Sequence, residues 1–241
     1  MIVLQTALVV CLLVLLSGCR PNEAACPPAI DQAKRLVRVI TPSMDDTRAT
    51  VATFQRPSPR ARWTQTSGPE SAVVGEGGVA WGHPFAASAQ PGEPIKREGD
   101  KRTPAGIYAF TSTFGFGDAN RPGHIRLASG RHYCVDDVRS PHYGRIVSKS
   151  VAGDGISGEE MATIPHYKRG IVIDYPPLSQ SRAGSCIFIH IWEGEGIGTD
   201  GCVALPEARV AHLQEWVTSD QTAIAILPAN ALDRFKGCLP Q

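Results

Sequence analysis

The chain has no block of basic residues. Across 241 positions, 24 Lys and Arg stand against 23 Asp and Glu, for a formal net charge of +1. Holding nucleic acid takes a basic stripe or patch, so that class of partner is excluded. Aromatic residues make up only 7% and long helical periodicity is scarce, whereas Gly (24) and Pro (19) are plentiful. This balance points to a β-rich domain with many turns. No internal repeat is present, which excludes a solenoid or propeller array.

What is there begins with residues 2–16, an almost wholly apolar stretch that runs into Leu16-Ser17-Gly18-Cys19. A run this short, closed by small residues, reads as a signal peptide rather than a spanning helix. The small residues before Cys19 form a lipobox, so cleavage is expected before Cys19 and lipidation on its thiol. Acyl chains there would tether an exported protein to a membrane face, toward the periplasm or cell wall, without crossing the bilayer. An uncleaved anchor is the alternative, and it exports the chain equally.

Residues 1–18 are therefore expected to be the signal and 19–34 a tether rich in proline. Residues 35–69 should supply N-terminal strands packing on the core, 70–228 the main domain, and 229–241 a C-terminal tail. Leu36 to Ile40 reads as a first strand, and Thr50 to Phe54 with Arg62 to Gln65 as a hairpin. Ala72 to Gly75 reads as a further short strand, and residues 82–102 as a long exposed loop. Ile107 to Phe110 alternates like a strand. Gly153 to Glu160 reads as a loop, with a short helix starting in Glu159 to Ile164. Gly170 to Tyr175 and Ser185 to His190 read as inner strands. One late helix is expected from Pro206 to about Ser219, with Pro206 in its first turn, Glu207 at its positive end and an apolar face of Val210, Leu213, Trp216 and Val217. Ala223 to Leu227 closes the pattern. The fold class is mainly β: a mixed-strand sandwich or barrel with one late helix and long loops forming a cleft.

Seven cysteines need accounting. Cys11 falls in the signal and Cys19 is the lipidation site. Five remain in an oxidising compartment, an odd number that leaves one thiol over. Cys202 is the candidate for the free one. Cys26 and Cys238 lie near the two ends of the mature chain, and domain termini are often close in space, so a clasp between them is expected. Cys134 and Cys186 are then left to pair, although spacing alone does not fix connectivity.

Cys202 also sits in the most informative context of the chain. Ile187-Phe188-Ile189-His190 ends a buried strand in an imidazole, and Thr199-Asp200-Gly201-Cys202 places a cysteine directly after a glycine. A thiol is a nucleophile as thiolate, and a neighbouring histidine can take its proton. Glycine before it permits a tight turn with backbone amides aimed at an oxyanion. Zinc is the competing chemistry, through Cys186, His190 and Cys202. Cys186 and His190, however, would lie about 13 Å apart along an extended strand, too far to share one ion. No metal or other cofactor is expected. Asp200 and Asp174 are candidates to orient His190. Trp192, on the same strand face as His190, is a candidate cleft wall, and Arg97 a candidate partner for substrate carboxylates.

These residues resemble the catalytic motif of the L,D-transpeptidase (YkuD-type) family, in which a strand-borne histidine precedes Ser/Thr-x-Gly-Cys. Gly99-Asp100 and Thr103-Pro104-Ala105-Gly106 are similar to the family's upstream turn and strand, so the resemblance covers roughly residues 70–228. It implies a β-rich domain and cysteine-dependent acyl transfer on peptidoglycan stem peptides. It assigns Cys202 as nucleophile and His190 as base, with Thr199 and Gly201 supplying the group that orients the imidazole. Two positions depart from the family's commonest pattern: Asp200 stands for a second histidine, and Ala204 for Arg or Asn. A divergent branch is implied. Hydrolysis through the same thioester, as an L,D-carboxypeptidase or amidase-type enzyme, and a non-catalytic lipid-anchored wall-binding module are the alternatives.

Overall fold

The computed structural model describes residues 26–118, 121–217 and 221–240. The lipobox and Cys19 lie outside the described residues. Among these, no helix is long and apolar enough to cross a membrane. In chain order the strands are β1 (Arg35–Thr41), β2 (Arg48–Gln55), β3 (Thr64–Val73), β4 (Val79–Trp81), β5 (Thr103–Gly115), β6 (His124–Arg126), β7 (Tyr133–Val135), β8 (Ile146–Val147), β9 (Gly158–Glu160), β10 (Arg169–Ile173), β11 (Phe188–Ile191), β12 (Val203–Leu205) and β13 (Thr222–Pro228). Among the described residues three α-helices accompany them: α1 (Pro28–Asp31), α2 (Lys149–Ala152) and α3 (Glu207–Trp216).

The main sheet runs β10-β11-β12-β3-β2-β1-β13-β5 and then returns, because β5 also pairs with β10. Eight strands thus close on themselves into a barrel, with β4 and β6 as short additions to β5. Closure removes the free edges that an open sheet of this size would present. The wall is mixed: β1 runs parallel to β13 and β11 parallel to β12, while the other barrel pairs are antiparallel. Its filling comes from alternating apolar residues such as Leu36, Ile171, Ile189, Leu205, Ile224 and Ile226, all at 2% exposure or less.

β1 lies in the interior of this sheet, hydrogen-bonded to β2 on one side and β13 on the other. The hairpin expected at Arg62 to Gln65 is longer, since β3 continues to Val73 and absorbs the strand read separately at Ala72 to Gly75. Its residues from Thr64 to Ser71 are polar and solvent-facing, so they carry no apolar alternation to announce a strand; pairing with β2 extends them.

Residues 82–102 are not simply an exposed loop. His83–Ser88 forms a 3-10 turn, Lys96 is buried, and Trp81 donates through its backbone N–H to the Pro94 carbonyl. Residues beyond β13 pack rather than trail: Phe235 meets Trp81 and Phe85 at ring centroid distances of 6.3 and 6.0 Å. Arg234 grips Glu93 with a two-pronged bond at 2.6 Å, which holds that carboxyl down to about 2. A disulfide joins Cys26 to Cys238, with Cα atoms 5.5 Å apart.

α3 lies against the barrel through Val210 and Leu213. Its buried Gln214 donates to the carbonyls of Phe114 (2.8 Å) and Gly170 (2.9 Å), stitching the helix to β5 and β10. Trp216 and Val217 are only partly buried.

A second, three-stranded sheet, β8-β7-β9, stands beside the barrel. The loop and helix read at Gly153 to Ile164 are here β9 followed by a 3-10 turn, Met161–Thr163. Gly158-Glu159-Glu160 has no apolar pattern of its own; its pairing with β7 makes it a strand. The Cys134–Cys186 disulfide fastens β7, and with it this sheet, to the segment that leads into β11.

Candidate active site

β11 carries His190, and β12 begins one residue after Cys202. In the parallel ladder Ile189 faces Val203 and His190 faces Ala204. Strand side chains alternate, so His190 and Cys202 fall on the same side of the wall. Both are nearly buried, at 8% and 7% exposure. Cys202 is the free cysteine among the described residues.

The turn before the thiol is held from inside. The Gly201 N–H donates to the Thr199 hydroxyl (3.1 Å), which itself donates to the Cys202 carbonyl (2.7 Å). The Thr103 hydroxyl donates to the same carbonyl (2.9 Å) and accepts the Gly75 N–H (2.8 Å). Thr103, expected to shape a turn, is therefore a fully buried brace of the turn that carries Cys202. Gly201 has φ +141°, a backbone region open to glycine but strained for other residues. Its amide is committed to Thr199, so it is not a free oxyanion donor as the sequence suggested.

The group that orients His190 also differs from expectation. Nδ1 lies 2.8 Å from the carbonyl of Ile191. Because a carbonyl only accepts, Nδ1 carries the proton and Nε2 keeps its lone pair. Thr199 and Gly201 bond to the Cys202 turn instead. Asp200 points to solvent, 91% exposed and 3.9 Å from Lys101 Nζ, and Asp174 is exposed at the end of β10. The imidazole is packed edge-on against Tyr167, centroids 5.4 Å apart, with His166 at 6.2 Å. Burial brings its pKa down to about 4, and His166 adds to the shift against the Ile191 carbonyl.

Burial pushes the Cys202 thiol well up, and the nearby Glu159 carboxyl pushes the same way. The sulfur accepts from the Phe188 N–H and donates to the Cys186 carbonyl, both at 3.3 Å. The resting pair is thus a neutral thiol and a neutral imidazole, each hydrogen-bonded to main chain.

Both open onto one cleft of about 430 Å³. Trp192, Thr199, Asp200 and Gly201 line it. Arg97 does not; it is exposed, and its carbonyl accepts from Lys96 Nζ at 2.8 Å. Cys186 lines the cleft with its sulfur bonded to Cys134, which takes it out of any zinc ligand set. The zinc reading falls with it. Residues that sequence reasoning missed include Glu98, Glu159 and Tyr167, and His166 also reaches the site. Tyr167 and Glu159 come from stretches without readable periodicity, and no local signal marked them. Glu98 accepts from Ser185 Oγ (2.7 Å) and from Tyr143, whose hydroxyl also receives the Gly184 N–H (3.0 Å).

The YkuD family, the L,D-transpeptidase catalytic domain, matches residues 63–226. A search of curated proteins finds no match. Among solved structures, the chain is similar to Bd1075 of Bdellovibrio bacteriovorus, at 14% identity and a TM-score of 0.40, covering 86% of this chain and 54% of that one. It is also similar to the helical cell shape determining protein Pgp2 of Campylobacter jejuni, at 16% identity and a TM-score of 0.40, covering 83% and 50%. The chain spans about half the length of these structures. With its domain matched over well more than half its residues, the chain belongs to the YkuD L,D-transpeptidase catalytic domain family.

Proposed function

We propose that this member of the L,D-transpeptidase family is a cysteine-dependent acyltransferase acting on peptidoglycan stem peptides. The observation that carries the reading is a free thiol at Cys202 opening onto a cleft beside a neutral His190 whose Nδ1 is already engaged. His190 Nε2 takes the thiol proton as sulfur attacks the carbonyl between the L-centred diamino acid and the terminal D-alanine. Because the resting pair is uncharged, proton transfer accompanies attack rather than preceding it. The Cys202 amide, at the glycine turn, receives the developing oxyanion. The imidazolium then protonates the departing D-alanine, and a thioester remains. An amine of a second stem resolves it into a cross-link; water in its place would give a carboxypeptidase.

One observation favours a second reading: the buried thiol donates to the Cys186 carbonyl, as a structural cysteine would. A wall-binding module without turnover is that alternative. Incubation with purified stem tetrapeptide followed by intact-mass measurement separates the two. An adduct on Cys202 with loss of D-alanine supports the enzyme, and an unmodified protein that retains the peptide supports the module. We also propose lipid attachment at Cys19, motivated by Leu16-Ser17-Gly18-Cys19. Normal processing and solubility of Cys19→Ser would refute it.

A further inference from the structure

Glu159 faces the cleft from β9, opposite Cys134 in the register with β7. Cys134 is joined to Cys186, and the Cys186 carbonyl holds the Cys202 thiol at 3.3 Å. A short covalent and hydrogen-bonded path thus fixes this carboxyl relative to the nucleophile. Tyr167 closes a second path: its hydroxyl donates to Glu159 at 2.7 Å while its ring packs on His190. Among the described residues no cation pairs with Glu159. A carboxyl sunk in a cleft without a counter-ion costs stability, and such groups mark functional sites.

The surroundings define what would satisfy it. Glu98, Asp136, Glu193 and Asp200 also line the cleft, against Lys101 as its lysine. Lys101 is itself occupied by Glu76 at 2.5 Å. The cleft therefore favours an ammonium. Burial raises Glu159 to about 7, opposed by the Tyr167 hydroxyl and assisted by Asp136, Asp200 and Glu98. A carboxyl in that range both releases and takes up protons near neutrality.

We propose that Glu159 is the acceptor-binding base of this site, holding the incoming ammonium and taking its proton before the amine attacks the Cys202 thioester. The inference rests on the reading that Cys202 becomes acylated. The carboxylate accepts one proton from R–NH3+, giving R–NH2 and a neutral carboxyl. The nitrogen lone pair then attacks the thioester carbon; the C–N bond forms and the C–S bond breaks. Sulfur leaves as thiolate and recovers, through His190, the proton that the attacking nitrogen sheds. Glu159 returns its proton to solvent.

The test uses the full chain acylated by stem tetrapeptide, with glycinamide as amine. Glu159→Gln keeps the shape and an acceptor for Tyr167. The expected result is an amide-to-hydrolysis product ratio, read on the acyl-enzyme that forms, lowered about 100-fold, the lower range of general-base effects. Hydroxylamine, largely unprotonated at neutral pH, should be acylated by the variant at near the wild-type rate. Glu159→Asp should recover part of the glycinamide ratio, and it serves if the glutamine variant fails to fold. An unchanged ratio, or equal loss with both amines, overturns the role of Glu159 while acylation stands. A wild-type protein that acylates yet yields no amide overturns it as well. Absence of any Cys202 adduct in wild type instead overturns the proposed function.

Discussion

His190 stands opposite Ala204 in the parallel β11–β12 ladder, two residues beyond Cys202. That offset puts imidazole and thiol on one face of the barrel wall, with Cα atoms roughly 8 Å apart from the strand rise and spacing. At that separation each side chain rests on its own main-chain partner.

Replacing Cys202 with alanine should eliminate acyl-enzyme and turnover while leaving the fold. The side chain is small, so the stability cost should be about 1 kcal/mol, at the low end for a buried truncation. Intact mass with stem tetrapeptide and a thermal melt check both halves. Turnover in this variant would refute the nucleophile.

Thiol reactivity should follow the neutral resting pair. With the thiol raised and His190 lowered, iodoacetamide should label Cys202 slowly at pH 7 and faster as pH rises. Fast labelling with a plateau from about pH 5 would reveal a preformed thiolate–imidazolium pair and contradict the geometry.

Stability against pH should carry two opposing slopes. His190 is about 4 folded against 6.5 unfolded, so its cost is absent above 6.5 and grows as pH falls to about 4. At full extent it amounts to roughly 3 kcal/mol. Glu159 is about 7 folded against 4.5 unfolded, so its contribution is full below 4.5 and is lost as pH rises through 7. Urea unfolding at pH 7 and pH 4.8 should show His190→Gln gaining stability on acidification relative to wild type. Glu159→Gln should lose it. Either sign reversed would refute the corresponding assignment.

Thr103→Val removes the brace of the Cys202 turn without changing its shape. The buried Gly75 N–H loses its acceptor and the Cys202 carbonyl loses one donor. An unpaired buried group of this kind costs about 1–3 kcal/mol. Unfolding free energy and acylation rate should both fall, and Thr103→Ser should restore most of each. A valine variant with wild-type values would mean the hydroxyl does not hold the loop.

Thiol counting under denaturing, non-reducing conditions should find one free thiol in the domain, at Cys202. The Cys26–Cys238 bridge spans 212 positions, and loop closure puts its contribution at up to roughly 5 kcal/mol. Reduction should lower the melting temperature. Recovery of Cys202 in a disulfide would remove it as nucleophile.

The sequence by itself determined the parts of this protein that are local. Apolar runs announce β1, β10, β11 and β13, glycine before Cys202 announces a tight turn, and an odd cysteine count points to one free thiol. Pro206 and Glu207 mark the start of α3. Tertiary structure alone decided the rest. Barrel closure depends on β5 meeting β10, which neither strand encodes alone. Gly158-Glu159-Glu160 becomes a strand only against β7, and Glu159 enters the cleft from that sheet, which the Cys134–Cys186 disulfide ties to the segment before β11. Lys96, in a stretch that reads as solvated charge, is buried on Asp100. The orienting carbonyl of Ile191 is a main-chain group, and main-chain groups are the same at every position. Apolar periodicity reports which face of an element is buried, whereas the placement of a buried polar group is set by partners distant in sequence.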